Sequence, residues 1–205
     1  MIGTDRLIVK IVLSLSLILL AGCARQAAST LPHNASLSWQ TRRTQLLRVN
    51  RWDIQGAIAI KTPQKAFSAS VNWEQVGRNR YTINLFGPLG MGAVKLIGKP
   101  NAVTLINDKN QRIQAQNPEA LLRQQLGWTL PVSTFYYWVR GVPTPGLSKA
   151  VTYDQYHHIK SLKQLGWRIQ YLDYTAVGRY DLPSKILMQN AKLHAKLIIS
   201  RWQLG

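Results

Sequence analysis

Between Trp52 and Leu85 the chain alternates apolar and polar residues three times over, and nothing else in the sequence limits the fold as much. Trp52, Ile54, Gly56, Ile58 and Ile60 interleave with Asp53, Gln55, Ala57 and Ala59; Phe67, Ala69, Val71 and Trp73 interleave with Ser68, Ser70, Asn72 and Glu74. After the turn at Gly77-Arg78-Asn79, Tyr81, Ile83 and Leu85 repeat the pattern. A period of two belongs to extended strands with one dry face and one wet face. The links are too short for the crossovers that parallel neighbours need, so the strands pair antiparallel.

Shorter strands are expected at Val94 to Leu96, Val103 to Leu105 and Arg112 to Ala115, and again from Tyr156 to Leu165, Trp167 to Tyr174, Ile186 to Met188 and Leu193 to Trp202. Helical segments precede and interrupt them. Leu37 to Val49 is amphipathic. Asn117-Pro118-Glu119 is a cap with proline in the first turn, leading through Leu121 and Leu122 to a stop at Gly127. The third, Ser133 to Val139, is aromatic (Phe135, Tyr136, Tyr137, Trp138) and ends at Gly141. About eleven strands with two or three helices define an α+β fold dominated by one antiparallel sheet. A sheet of that size must curl, and its concave face needs the helices as filler or as the wall of a pocket.

Residues 1–22 form an exported leader: Arg6 and Lys10, an apolar run from Ile11 to Leu20, then Ala21-Gly22. The only cysteine, Cys23, follows directly. Leu20-Ala21-Gly22-Cys23 resembles a bacterial lipobox, which implies acylation of Cys23 and leaves no thiol for disulfide, metal or nucleophilic chemistry. An Asp after the lipidated Cys would imply retention at the inner membrane; Ala24 stands there instead, so an outer-membrane address is expected. Residues 23–36 read as an acylated tether, small, polar and aperiodic. Residues 37–205 are then one domain.

Without the leader's Arg6, Lys10 and Asp5 the chain keeps 24 basic and 7 acidic residues of the original 26 and 8. Such a surface favours anionic partners. The cations are scattered singly beyond Arg42-Arg43, with no nucleic-acid motif, so no nucleic-acid partner is expected. Catalysis is not expected either, nor a cofactor. The carboxylates form no close pair, His157 and His158 as strand neighbours would face opposite ways and could not share a metal, and no nucleophile elbow, zinc helix or phosphate loop is present.

Two features ask for an apolar ligand or an apolar surface. Seven tryptophans (Trp39, Trp52, Trp73, Trp128, Trp138, Trp167, Trp202) would serve a full core or a lined cavity equally well. The turn Gly87-Pro88-Leu89-Gly90-Met91-Gly92 carries Leu89 and Met91 where solvated turns place Asn, Asp or Ser. Its tip either folds into the core or is held out to touch something apolar.

The ordered set of a lipobox, Trp73-Glu74-Gln75, Gly87-Pro88-Leu89-Gly90, Leu126-Gly127-Trp128 with Pro131, Tyr137-Trp138-Val139-Arg140-Gly141-Val142-Pro143, Gly166-Trp167 and Leu182-Pro183 resembles the LolB family of outer-membrane lipoproteins. That resemblance implies a strongly curved, unclosed antiparallel barrel with helices at its mouth and an apolar cavity. It implies a receptor that takes acylated lipoproteins from the periplasmic carrier LolA and inserts them into outer-membrane lipids, acting as a monomer. It assigns Trp73, Trp138 and Trp167 to the acyl cavity and Leu89 to a membrane-transfer tip. Met91 is a departure from the family's tip, a second apolar residue that shares the insertion role or packs inward. The alternative is a structural envelope lipoprotein that binds an anionic polymer and has a filled interior; a carrier of some small apolar molecule is a third reading. A pocket below roughly 300 Å³ would favour a filled interior.

Overall fold

The computed structural model describes residues 37–88 and 92–205; all of them fall within one compact unit, Leu31–Gly205. Cys23, the leader, the tether, Leu89 and Met91 lie outside the described residues.

Helix α1 (Trp39–Arg48) precedes six strands: β1 (Arg51–Lys61), β2 (Ala66–Val76), β3 (Arg80–Phe86), β4 (Val94–Lys99), β5 (Ala102–Ile106) and β6 (Arg112–Ala115). Helices α2 (Pro118–Leu126) and α3 (Val132–Trp138) follow, then β7 (Ala150–Tyr153), β8 (Ile159–Gln164), β9 (Trp167–Val177), β10 (Tyr180–Gln189) and β11 (His194–Leu204). The strands make one sheet of order β6-β5-β4-β3-β2-β1-β11-β10-β9-β8-β7. Each neighbouring pair is antiparallel, so two meanders are joined by β1 against β11. The outer strands β6 and β7 do not pair. The chain between those two edges is the helical segment, which is why α2 and α3 are available to fill the mouth.

The alternation seen in the sequence is the alternation of burial: in β2, Ala69, Val71, Trp73 and Gln75 are buried while Ser68, Ser70, Asn72 and Glu74 are exposed. Curvature comes from register breaks, one of them at Gln55/Gly56 in β1. A Cβ on Gly56 would run into the Ile198 carbonyl of β11, so this bend accepts only glycine. Two apolar clusters result. The larger joins β1, β2, β8 to β11 and α3 around Trp52, Trp73, Trp138 and Ile186; the smaller packs Leu121 and Leu122 of α2 and Val132 of α3 on Leu96, Val103 and Leu105.

Helix α1 is held at both ends by buried polar groups. Arg42 Nη1 donates to Asp181 Oδ2 at 2.8 Å, and His158 reaches the same oxygen through Nε2 at 3.1 Å while its Nδ1 lies 3.0 Å from Asp154. The fully buried Arg140 donates through Nη1 to the carbonyls of Leu46 and Val49 at the helix's other end, and through Nε to Tyr136 at 3.1 Å. Its guanidinium lies 4.1 Å from the Tyr136 ring centroid. Burial pulls its pKa down, with Tyr136 and Tyr137 opposing.

The segment before β8 departs from the sequence expectation. His157 is not in a strand: it occupies a left-handed turn with φ 61°, exposed, and β8 begins two residues later. Asp154 forms that turn by accepting from the backbone N–H groups of Tyr156 and His158.

Candidate functional site

The concave face and the helices enclose a wholly apolar pocket. Its sheet wall is Ile58 from β1, Val71 and Trp73 from β2, Ile83 and Leu85 from β3, Val94 and Leu96 around β4, and Leu197 from β11. Its other wall is Leu122 of α2, Trp128 and Leu130 in the link, and Val132 and Phe135 of α3. The link holds this position because α2 ends at Gly127 in the left-handed conformation, φ 76°, after an N-cap in which Asn117 accepts from Ala120 N–H. Trp73 stands 5.3 Å from Phe135, centroid to centroid. Its indole N–H donates to Gln75 at 2.8 Å, and Gln75 in turn donates to the Gly77 carbonyl at 2.7 Å. With its one polar atom satisfied, Trp73 offers the pocket only hydrocarbon.

The pocket holds about 60 Å³, room for roughly two waters. That is below the 300 Å³ that marks an open ligand cavity, and size alone would suit a filled interior. Burial is graded across it. Val71, Leu197 and Leu96 are sealed, whereas Ile83, Leu85, Val94 and Trp128 are only partly covered. The leaky side is therefore where β3 turns into β4.

That side is also where the apolar turn springs from. Leu85 and Val94 are cross-strand partners in β3 and β4, both line the pocket, and the turn between them carries Leu89 and Met91. Phe86, one residue beyond Leu85, is 41% exposed.

The structure separates the three tryptophans named from sequence. Trp73 borders the pocket, while Trp138 and Trp167 do not. Trp138 is fully buried beneath α3 with its N–H on Gln164 at 2.9 Å, 6.2 Å from Trp167. Trp167 lines a different groove at the end of the sheet, beside Lys163 and Arg168. Trp128, not among those three, borders the pocket as well, from the aperiodic link between Gly127 and Pro131.

The architecture is thus one antiparallel sheet, left open at its edges, whose inner face and two helices enclose an apolar space. It is similar in fold to a LolA superfamily protein from Nitrosomonas europaea, with a TM-score of 0.53 at 11% identity over 83% of this chain and 94% of that one. Residues 50–202 match the family model for outer membrane lipoprotein LolB. The chain is 38% identical over 198 residues to an outer-membrane lipoprotein LolB of Coxiella burnetii, covering 94% of this chain and 92% of that protein. A Pseudomonas putida LolB is 39% identical over 189 residues, covering 90% and 91%. The chain belongs to the LolB family.

Proposed function

We propose that this protein is the outer-membrane receptor of a lipoprotein-sorting pathway, anchored through an acylated Cys23. It takes acylated lipoproteins from a LolA-type carrier into the space beneath α2 and α3 and delivers them to the membrane as a monomer. Family membership gives the class; the observation that carries the mechanism is the Leu85–Val94 pair, two pocket-wall residues at the strand ends that the sequence segment with Leu89 connects.

Water forbids free release of cargo, since each exposed methylene costs about 0.8 kcal/mol and a sixteen-carbon chain therefore about 12. Transfer has to proceed from one apolar mouth to another, and then along β3 and β4 into the bilayer. No bond is made or broken. A pocket of 60 Å³ cannot hold an acyl chain as it stands, so acceptance displaces the α2 side of the helical wall. The C-terminal end of α3 stays in place through Trp138 and the adjoining Arg140. Incubating a LolA-type carrier loaded with acylated lipoprotein together with liposomes tests the proposal. Delivery should require this protein, and delivery at the same rate without it would refute the assignment.

A further inference from the structure

The hairpin β8–β9 repeats, on another part of the sheet, what the Leu89 turn does in sequence. Gln164 and Trp167 pair, so Leu165-Gly166 is a two-residue turn with φ of 53° and 75°. Such turns favour Asn-Gly, because both residues are left-handed and solvated. Here the first position is leucine, 55% exposed, the most exposed large apolar side chain among the described residues. Leu147, 37% exposed, comes from the chain entering β7.

Cations surround this tip. Leu165 lines a groove of about 750 Å³ together with Lys149, Lys163, Arg168 and His194, and no carboxylate lines it. The groove lies at the end of the sheet where β1 finishes against His194 and Ala66. The other turns at that end, residues 62–65, 107–111 and 190–193, add Lys65, Lys109 and Lys192 against the single acid Asp108. β3 also finishes at this end, with Phe86 paired to Ser70 near the start of β2. An apolar side chain in a ring of cations, with a tryptophan edge (Trp167) behind it, is the chemistry of an interfacial membrane contact.

We propose that the β8–β9 tip is a second membrane-contact site, in which Leu165 enters the acyl boundary and Lys149, Lys163 and Arg168 bind the phosphates of anionic lipid headgroups. Such a contact presents to the bilayer the end of the sheet at which β3 finishes and β4 begins. The inference rests on the reading of the protein as membrane-anchored and adds to it a docking face.

The mature acylated protein, whose Cys23 sulfur is blocked by lipid, is labelled with an environment-sensitive fluorophore through Leu165→Cys, and separately through Leu172→Cys, exposed on the outer face in the middle of β9. Both are anchored in phosphatidylethanolamine vesicles with or without phosphatidylglycerol, with nitroxide-bearing lipids as quenchers. Position 165 should be quenched severalfold more than position 172, only when phosphatidylglycerol is present. Lys149→Glu with Lys163→Glu should abolish the difference, since each cation near an anionic surface is worth about fivefold in occupancy. Leu165→Asn, which suits the left-handed turn better, should keep or raise the melting temperature while weakening binding of the protein's sheet end to anionic vesicles. Equal quenching at 165 and 172, or protection of position 165 by a LolA-type carrier in place of vesicles, would overturn the site. Lipoprotein delivery by the unlabelled protein is measured alongside: delivery with a wet position 165 refutes this site alone, and absent delivery refutes the receptor reading.

Discussion

Phe135→Ala is expected to weaken the free protein and tighten its hold on acyl chains at the same time. The Phe135 ring is buried against Trp73 at 5.3 Å and forms part of the pocket wall. Removing a buried phenyl group costs about 3–5 kcal/mol, tolerable in a domain whose total is about 5–15. The void left is roughly 100 Å³; at about 24 cal/mol per Å³ it accounts for about 2 kcal/mol of the loss. An acyl chain that fills the void recovers that part in the complex and not in the free protein. Affinity for a palmitoylated lipopeptide should then rise by up to about 30-fold. Urea unfolding followed by tryptophan fluorescence gives the stability, and competition against a fluorescent acyl probe gives the affinity. A variant destabilised as expected whose affinity is unchanged or weaker would show that acyl chains do not occupy the space beside Phe135. Phe135→Leu should give smaller changes of the same signs.

Leu89→Glu should leave the melting temperature and cargo acceptance intact while stopping release into liposomes; unchanged release in the transfer assay would remove the turn from the mechanism. Gly56→Ala should lower stability by about 1–3 kcal/mol, read by thermal melting, because its Cβ meets the Ile198 carbonyl and the bend in β1 has to shift; a neutral effect would mean that this bend does not depend on glycine. Burial pushes the Tyr171 and Tyr174 hydroxyls well above their ordinary pKa of 10.0, while they donate to the carbonyls of Trp138 and Ile159. The unfolded chain loses these protons above about pH 10 and the folded chain keeps them, so their contribution is complete below that pH and is lost as pH rises beyond it. Absorbance near 295 nm should show these tyrosines ionising only together with unfolding.

The sheet was legible because its physics is local. Alternation along Trp52–Ile60 and Phe67–Trp73 states which side chains face inward, and short links state that neighbours are antiparallel. The start of α2 was legible for the same reason, since Asn117-Pro118-Glu119 ahead of Leu121 and Leu122 joins a capping side chain, a first-turn proline and an apolar run. What lies inside the curl was not. Trp73, Trp138 and Trp167 all belong to an inward face, yet only Trp73 meets the pocket, because the path of α3 over the sheet decides which inward residues stay uncovered. Trp128 meets it from a link that has no periodicity to announce it. His157 was misread as a strand residue because the turn built on Asp154 depends on one side chain accepting two backbone hydrogen bonds, which no alternation records. The pocket's closure was equally hidden: it is a matter of volumes, and the apolar residues of a closed pocket and an open one are the same.

Quenching by an acylated lipopeptide brominated along its chain locates the bound hydrocarbon among the seven tryptophans. If acyl chains enter between the sheet and α2–α3, quenching should be strong, absent with the unacylated peptide, and largely lost in the double variant Trp73→Phe with Trp128→Phe. It should persist in Trp138→Phe with Trp167→Phe. Quenching that survives loss of the first pair and disappears with the second would place the chains elsewhere and contradict the pocket as the acyl site.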